Sequence, residues 1–255
     1  MPLLPITVEG GVATLTLNRP EAGNSLSTPL LTALIAGLRW CKNTDDVRVV
    51  VLTGAGEKVF CAGADLHSFT VPQSELERHA ERGLYVELFR LLPELGRPII
   101  GRINGHALAG GFGLACACDL LVAIDSASFG TSEINLGLWP AMVQTILQRN
   151  LPRKPLLEMM LLGQRWSAAQ MKELWLINRV VGSITELDVI TDELAAGLAR
   201  QPAETLKLGR DSFYQQQDME YAAALSYLQG QLSLISLNPA VESKVKAFLD
   251  RHHDD

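Results

Sequence analysis

The sequence has few cysteines, few aromatic residues and no excess of positive charge. Its 255 residues include only four cysteines, none of them in a CxxC pair, so we expect neither a disulfide framework nor an oxidising compartment. Basic side chains number 22 and acidic ones 28, which gives a net charge of −6. An acidic chain lacks the basic surface that binding to a nucleic acid backbone requires, so nucleic acid is not an expected partner.

Long hydrophobic runs are also missing. The uncharged stretch over residues 103–118 is shorter than the roughly 20 residues of a spanning helix, and residues 221–241 are interrupted by polar residues, a glycine and a proline. The N-terminus has no basic region typical of a signal peptide. We therefore expect a soluble, cytoplasmic protein with no membrane partner.

Several catalytic signatures are absent as well. The chain has no GxSxG motif, which argues against α/β-hydrolase chemistry, and its histidines show no HxxxH or HExxH spacing, so no metal is expected. Gly111 and Gly113 begin a GxGxx pattern that ends in Cys116 and lies far from the first strand–helix unit. The interpretation of the chain as a nicotinamide-dependent oxidoreductase rests on this incomplete pattern alone.

Strands and helices alternate through the first half of the chain. Strands are predicted at residues 6–9, 12–17, 47–52, 98–103 and 120–124, the first two as a hairpin around Gly10 and Gly11. Helices are predicted at residues 28–42, 73–92 and 108–117. This alternation predicts an α/β core with parallel strands. From residue 152 onward helical patterns dominate, which predicts a helical C-terminal region.

Two glycine-rich segments are candidate anion sites. Small residues at positions 61–64 let another molecule approach the backbone closely, and Gly110 and Gly111 lie where the first turn of a helix leaves N–H groups unpaired. Such amides can hold an oxyanion. Close packing of neighbouring elements explains the same small residues, so both interpretations stay open.

Glu133 is the candidate acid/base. It stands among apolar and small residues directly after a predicted buried strand, and burial should raise its pKa, which suits a group that takes up and returns a proton. A helix-capping or salt-bridged glutamate is the alternative. Trp139, a few residues later, is expected to form a pocket wall or part of the core.

Taken together and in this order, these segments resemble the crotonase superfamily, also called the enoyl-CoA hydratase/isomerase family. The resemblance extends from Leu17-Asn18-Arg19-Pro20 to Ala247-Phe248-Leu249. It implies a spiral of ββα turns over residues 1–195 and a helical trimerisation region over residues 196–255. It also implies an acyl-CoA thioester substrate, no cofactor apart from the coenzyme A of the substrate, and a homotrimer or a dimer of trimers.

The resemblance also implies roles for individual residues. The backbone N–H groups of Ala64 and Gly110 would stabilise a thioester enolate, and Glu133 would be the catalytic acid/base. The substrate would be bound around them by Arg19, Ala62, Gly63, Leu66, Gly111, Gly113 and Trp139. Family members often carry a basic residue where this chain has His67, close to the phosphates of coenzyme A.

Gly113 departs from the family pattern. Family hydratases commonly use a second glutamate, which would fall on Gly113. A single glutamate suits isomerisation of a C=C bond, while hydration by Glu133 alone stays open. The space freed at Gly113 is expected to admit a branched or polar acyl chain. A non-catalytic or weakly active acyl-CoA-binding protein is the alternative function.

Overall fold

The fold contains ten strands and ten α-helices in residues 1–70 and 72–251, the part of the chain that the computed structural model describes. The strands are β1 (Ile6–Glu9), β2 (Val12–Leu17), β3 (Val49–Gly54), β4 (Val59–Cys61), β5 (Ile99–Ile103), β6 (His106–Leu108), β7 (Leu120–Ile124), β8 (Ser128–Gly130), β9 (Arg165–Ser167) and β10 (Arg179–Val181). The helices are α1 (Thr28–Asn43), α2 (Glu75–Leu91), α3 (Gly110–Cys116), α4 (Ala141–Asn150), α5 (Arg153–Leu162), α6 (Ala168–Glu173), α7 (Ile184–Ala199), α8 (Ala203–Gln215), α9 (Tyr221–Ser236) and α10 (Pro239–Arg251).

Six strands form the larger sheet, in the order β1-β2-β3-β5-β7-β10. β1 and β2 form the predicted antiparallel hairpin, and Gly10 and Gly11 take positive φ values of 55° and 81° in its turn. All other neighbours in this sheet are parallel, as the alternation of strands and helices predicts. The mixed α/β class is therefore confirmed.

The core of the larger sheet follows from the apolar faces of the sequence. β3 is buried along its whole length, and α1 buries the stripe that contains Leu30, Leu34 and Leu38. The side chain of Ser27 accepts a hydrogen bond from the N–H of Leu30, which caps α1 where the sequence predicts its start.

The smaller sheet has four short strands in the order β4-β6-β8-β9. The sequence did not indicate this sheet, because each strand has only three residues and shows no readable periodicity. The expected helix over residues 108–117 is wrong at its start, since residues 106–108 form β6 and α3 begins at Gly110. β4, β6 and β8 run parallel, so their carboxyl ends lie at the same edge.

From residue 152 onward the chain is mostly helical, as predicted, and β9 and β10 are its two strands among the described residues. α7 covers the larger sheet, where Leu187 and Ala195 pack with Val49, Val51 and Ile100. The expected division between residues 195 and 196 falls within this helix and stays a prediction. None of the helices in the described ranges is long and apolar enough to cross a membrane.

Arg210 connects α8 to the core. Its side chain is only 7% exposed, and its Nε lies 2.8 Å from Oδ2 of Asp119. The two Nη atoms donate to the carbonyls of Leu92 and Pro93, and the hydroxyl of Tyr214 donates to the other carboxylate oxygen of Asp119. Buried polar groups are stable when they are hydrogen-bonded in this way.

Candidate active site

The three candidate segments follow the three parallel strands of the smaller sheet. Residues 62–65 follow β4, residues 109–113 follow β6, and residues 131–133 follow β8. Because the strands are parallel, these segments meet at one edge of the sheet, where ligands commonly bind in α/β proteins. The N–H of Ala109 donates to the carbonyl of Gly130 at 2.8 Å, which links the second segment to the third.

The first two segments are in direct contact. Gly63 is buried with a φ of +96°, and a Cβ there would lie 2.7 Å from Cβ of Ala109 and 2.8 Å from the backbone N of Gly110. A Cβ built on Gly110 would lie 3.5 Å from the backbone N of Ala64. Only glycine fits at position 63. The close contacts of Gly63 with Gly110, and of Gly110 with Ala64, show that the structure brings the predicted pair, Ala64 and Gly110, together.

The amides of Ala64 and Gly110 are available for a ligand. No described residue accepts a hydrogen bond from either N–H group. Ala109, which precedes Gly110, has a φ of +50°, a conformation that non-glycine residues rarely adopt. This strained turn begins α3 abruptly after β6 and leaves the Gly110 amide outside the hydrogen bonds of the helix.

An ion pair holds the first segment in place. Nη1 of Arg19 lies 2.8 Å from Oδ2 of Asp65, and it also donates to the Oγ and the carbonyl of Ser25. Oδ1 of Asp65 accepts from the N–H of His67. Burial by itself raises the pKa of Asp65, but these hydrogen bonds outweigh it, and the pKa lies below its ordinary value. The predicted contact between Arg19 and substrate stays a prediction; in the structure its guanidinium fixes the residue next to Ala64.

Glu133 occupies the first position of a short 3₁₀ helix, Glu133–Leu136. Its side chain is half-buried, and no described residue donates a hydrogen bond to its buried Oε2. Burial raises the pKa of Glu133, and a hydrogen bond from its own backbone amide opposes that rise only in part. The predicted direction of the pKa shift is therefore confirmed, and the carboxylate has one oxygen available for a proton.

The expectation of free space at Gly113 is wrong. A Cβ at this position would lie 2.3 Å from Cγ1 and 2.7 Å from Cβ of Val143, and 3.4 Å from Cζ of Phe89. The side chain of Val143 from α4 therefore fills the place that a side chain at 113 would take. Sequence reasoning missed Val143, since nothing links two residues that lie thirty positions apart.

A cavity of about 320 Å³ opens beside Ala64, between the start of α1 and one face of α2. Trp139 lines a different cavity, of about 380 Å³, and its Nε1 donates to Oε1 of Gln144 at 2.7 Å. Trp139 therefore lines a cavity, but not the one beside Ala64, and its contact with substrate stays a prediction.

The remaining predicted residues support the two segments. The N–H of Ala62 donates to the carbonyl of Gly23 at 2.9 Å, and Leu66 is half exposed at the start of a 3₁₀ helix. A Cβ at Gly111 would lie 2.1 Å from the carbonyl oxygen of Cys61, so close packing of α3 on β4 explains this glycine. Their contacts with substrate stay predictions. Among the described residues, no cluster of His, Cys, Asp and Glu could hold a metal ion.

Comparison with known proteins identifies similar sequences and structures. Residues 7–253 match the family model described as enoyl-CoA hydratase/isomerase. The chain is 39% identical to 1,2-epoxyphenylacetyl-CoA isomerase of Escherichia coli, over 79% of this chain and 78% of that protein. It is 37% identical to (E)-benzylidenesuccinyl-CoA hydratase of Thauera aromatica, over 80% of this chain and 76% of that protein. The crystal structure of an enoyl-CoA hydratase from Mycobacterium smegmatis superposes with a TM-score of 0.95 at 34% identity and covers 98% of this chain and 97% of its own.

Proposed function

The chain belongs to the enoyl-CoA hydratase/isomerase family and is an enzyme, a lyase or an isomerase, that acts on acyl-CoA thioesters, and we propose that it moves a double bond within an enoyl-CoA with Glu133 as its single acid/base. The fold is the predicted crotonase fold. The reaction proposed is the conversion of a 3-enoyl-CoA into a 2-enoyl-CoA. Coenzyme A enters as part of the substrate, and the proposal includes no other cofactor.

The proposed reaction has two proton transfers. The Glu133 carboxylate removes a proton from C2, and the electron pair of that C–H bond moves toward the thioester oxygen to form an enolate. The N–H groups of Ala64 and Gly110 donate to that oxygen, and each such donor contributes about 3 kcal/mol to transition-state stabilisation. The protonated Glu133 then delivers the proton to C4 as the double bond shifts to C2–C3. A raised pKa suits a group that must hold the proton between the two steps.

The packing of Val143 against Gly113 supports isomerisation over hydration. Hydration adds water across the double bond, and a second carboxylate commonly helps to orient that water in family hydratases. Position 113 has no side chain, and Val143 occupies the adjoining space with aliphatic carbon. This packing leaves no room at position 113 for a polar side chain.

Hydration with Glu133 alone is the second candidate. Among the similar proteins, the one from Thauera aromatica is named a hydratase and the one from Escherichia coli an isomerase. Oε2 of Glu133 has no hydrogen-bond partner among the described residues, and a carboxylate can activate a water as well as remove a proton from carbon. The non-catalytic alternative is weaker, because the two available amides and the half-buried carboxylate lie at the same edge of the smaller sheet.

We also propose that the chain forms a trimer or a dimer of trimers in the cytoplasm. α9, α10 and the two-residue connection between them carry large apolar side chains that are at least half exposed in the single chain, namely Tyr221, Leu225, Leu232, Leu234, Leu237, Val245, Phe248 and Leu249. An apolar surface of this extent is typical of a protein interface. A compact monomer in sedimentation at micromolar concentration would refute the oligomer.

Turnover in deuterated water tests the proposed reaction. The protein is incubated with a 3-enoyl-CoA and, separately, with a 2-enoyl-CoA, and the products are identified by mass spectrometry and NMR. We expect migration of the double bond with deuterium incorporation and no 3-hydroxyacyl-CoA from either substrate. Formation of 3-hydroxyacyl-CoA from the 2-enoyl substrate would instead support hydration.

Glu133→Gln tests the role of the carboxylate, and Glu158→Gln on the exposed face of α5 is the matched control. We expect kcat to fall at least a hundredfold in the first variant, the lower range for loss of a general base, and to stay unchanged in the second. Unchanged turnover in Glu133→Gln would remove Glu133 from the mechanism. Binding of acyl-CoA without any turnover in the parent protein would support the non-catalytic alternative.

A further inference from the structure

The cavity beside Ala64 adjoins one of the two amides that are proposed to bind the thioester oxygen. Ala64 forms part of its wall, so the acyl chain of a thioester whose oxygen binds the Ala64 amide can extend into it. Its volume of about 320 Å³ lies at the lower end for a bound drug-sized ligand. A volume of this size suits an acyl chain better than the much larger coenzyme.

Residues of α2 line this cavity at increasing distances from Ala64. The hydroxyl of Tyr85 donates to the carbonyl of Leu26 at 3.1 Å, and Leu26 forms a parallel bridge with Ala64. Arg82 and Arg78 lie on the same face of α2 as Tyr85 and also line the cavity. At the rise of an α-helix they are about 4.5 Å and about 10 Å farther along the axis than Tyr85. The two arginines therefore line the part of the cavity that is distant from Ala64.

Both acidic residues in the wall already have partners. Oδ2 of Asp65 lies 2.8 Å from Nη1 of Arg19. Oε1 of Glu81 accepts hydrogen bonds from Oγ1 of Thr28 at 3.2 Å and from Nε2 of Gln73 at 3.0 Å. Neither carboxylate forms an ion pair with an arginine of the cavity.

The two arginines of the wall lack such partners. Neither Arg78 nor Arg82 forms an ion pair with any described residue. Nε of Arg78 is buried from solvent and has no hydrogen-bond partner in the described part of the chain. Arg78 as a whole is half-buried and Arg82 is exposed. A buried guanidinium nitrogen without an acceptor is unfavourable, and an anionic ligand in the cavity would supply one.

We infer that the acyl group of the substrate carries a carboxylate at its far end, which Arg78 and Arg82 bind. A carboxylate matches the planar donor set of a guanidinium, and charge-assisted pairs of this kind are the strong ones. This inference rests on the proposed function, because it takes the thioester to be bound at Ala64.

Binding of two saturated acyl-CoA esters of equal chain length tests the inference without any need for turnover. Glutaryl-CoA carries the terminal carboxylate and pentanoyl-CoA carries a methyl group instead. We expect calorimetry to give at least tenfold tighter binding of glutaryl-CoA by the parent protein, as for one hydrogen bond to a charged group. Arg78→Met and Arg82→Met should each reduce this ratio and leave the affinity for pentanoyl-CoA unchanged. Arg90→Met, an exposed arginine of α2 outside the cavity, is the matched control and should keep the full ratio.

Binding of free coenzyme A distinguishes the two negatively charged groups that the arginines could bind, the coenzyme phosphates and the terminal carboxylate of the acyl group. His67 also lines the cavity, and the family resemblance implies that this position lies close to the coenzyme phosphates. Equal loss of affinity for free coenzyme A, pentanoyl-CoA and glutaryl-CoA in the arginine variants would mean that the arginines bind phosphate, and would overturn the inference. Equal binding of both esters by the parent protein would overturn it as well. If the parent protein prefers glutaryl-CoA but converts no enoyl-CoA, the proposed reaction fails while the carboxylate site stands.

Discussion

The contact between Gly113 and Val143 predicts that Gly113→Ala destabilises the protein when Val143 is present and stabilises it when Val143 is replaced by glycine. In Gly113→Ala, the new Cβ would lie 2.3 Å from Cγ1 of Val143, which is far inside van der Waals contact. Overpacking of this kind costs about 1–3 kcal/mol of unfolding free energy. Val143→Gly removes both clashing atoms, and the next neighbour, Cζ of Phe89, is then at an ordinary 3.4 Å.

In the Val143→Gly background, Gly113→Ala should therefore stabilise the protein. Position 113 lies inside α3, and alanine is favoured over glycine within a helix by about 1 kcal/mol. The coupling energy between the two positions should then be about 2–4 kcal/mol, obtained by adding the cost in one background to the gain in the other. Val143→Gly alone is expected to destabilise by at least about 2 kcal/mol, because a buried valine is lost.

Urea unfolding of the parent protein, the two single variants and the double variant measures this coupling. Gly83→Ala is the matched control, since a Cβ at this exposed position of α2 meets no atom within 4 Å. It should stabilise both backgrounds equally. A neutral or stabilising Gly113→Ala in the parent protein would refute the argument that Val143 closes position 113, and with it the structural case against a second polar group there.

Three further predictions concern stability. The pKa of Glu133 is raised above its ordinary 4.5, so the folded protein binds this proton more tightly than the unfolded chain and loses stability as the pH rises from 4.5 through the raised pKa. Glu133→Gln should therefore be more stable than the parent at pH 7 and lose this advantage below pH 4.5. A variant without any gain at pH 7 would contradict the pKa shift. Arg210→Met should lower the unfolding free energy by about 3 kcal/mol, because it removes the buried partner of the Asp119 carboxylate. Arg149→Met, which breaks an exposed ion pair with Asp218, should lower it by less than about 1 kcal/mol. Equal losses of unfolding free energy in denaturant would refute this distinction. Trp175 is 92% exposed with a φ of +64°, so Trp175→Gly should raise the unfolding free energy by about 1 kcal/mol, and a lower thermal midpoint would show that the ring makes a stabilising contact.

The sequence predicts the parts of the fold that carry a clear hydrophobic period. α1 has an apolar stripe and a serine cap and begins where the sequence predicts it. The apolar run predicted as a strand at residues 47–52 forms β3, which begins and ends two residues later. β4, β6 and β8 are too short for any period to show, and they are stabilised by pairing with strands distant in the chain. The sheet that positions the candidate site was therefore the part that the sequence did not indicate.

For the candidate site, residue chemistry was predictable and spatial neighbours were not. The surroundings of Glu133 in the sequence are enough to predict its burial and the direction of its pKa shift. The closure of position 113 by Val143, and the ion pair between Arg19 and Asp65, depend on how separate elements pack. One-dimensional spacing carries no information about such contacts.

The smaller sheet has a consequence for the order of folding. Its three parallel strands lie far apart in the chain, so pairing them requires the closure of long loops, a slow class of event compared with helix formation. The amides of Ala64 and Gly110 and the Glu133 carboxylate reach one edge only after this pairing. During refolding, helical signal should therefore return before the ability to bind or turn over a thioester does. An unstable sheet would leave a chain that looks largely folded by its helix content and has no working site.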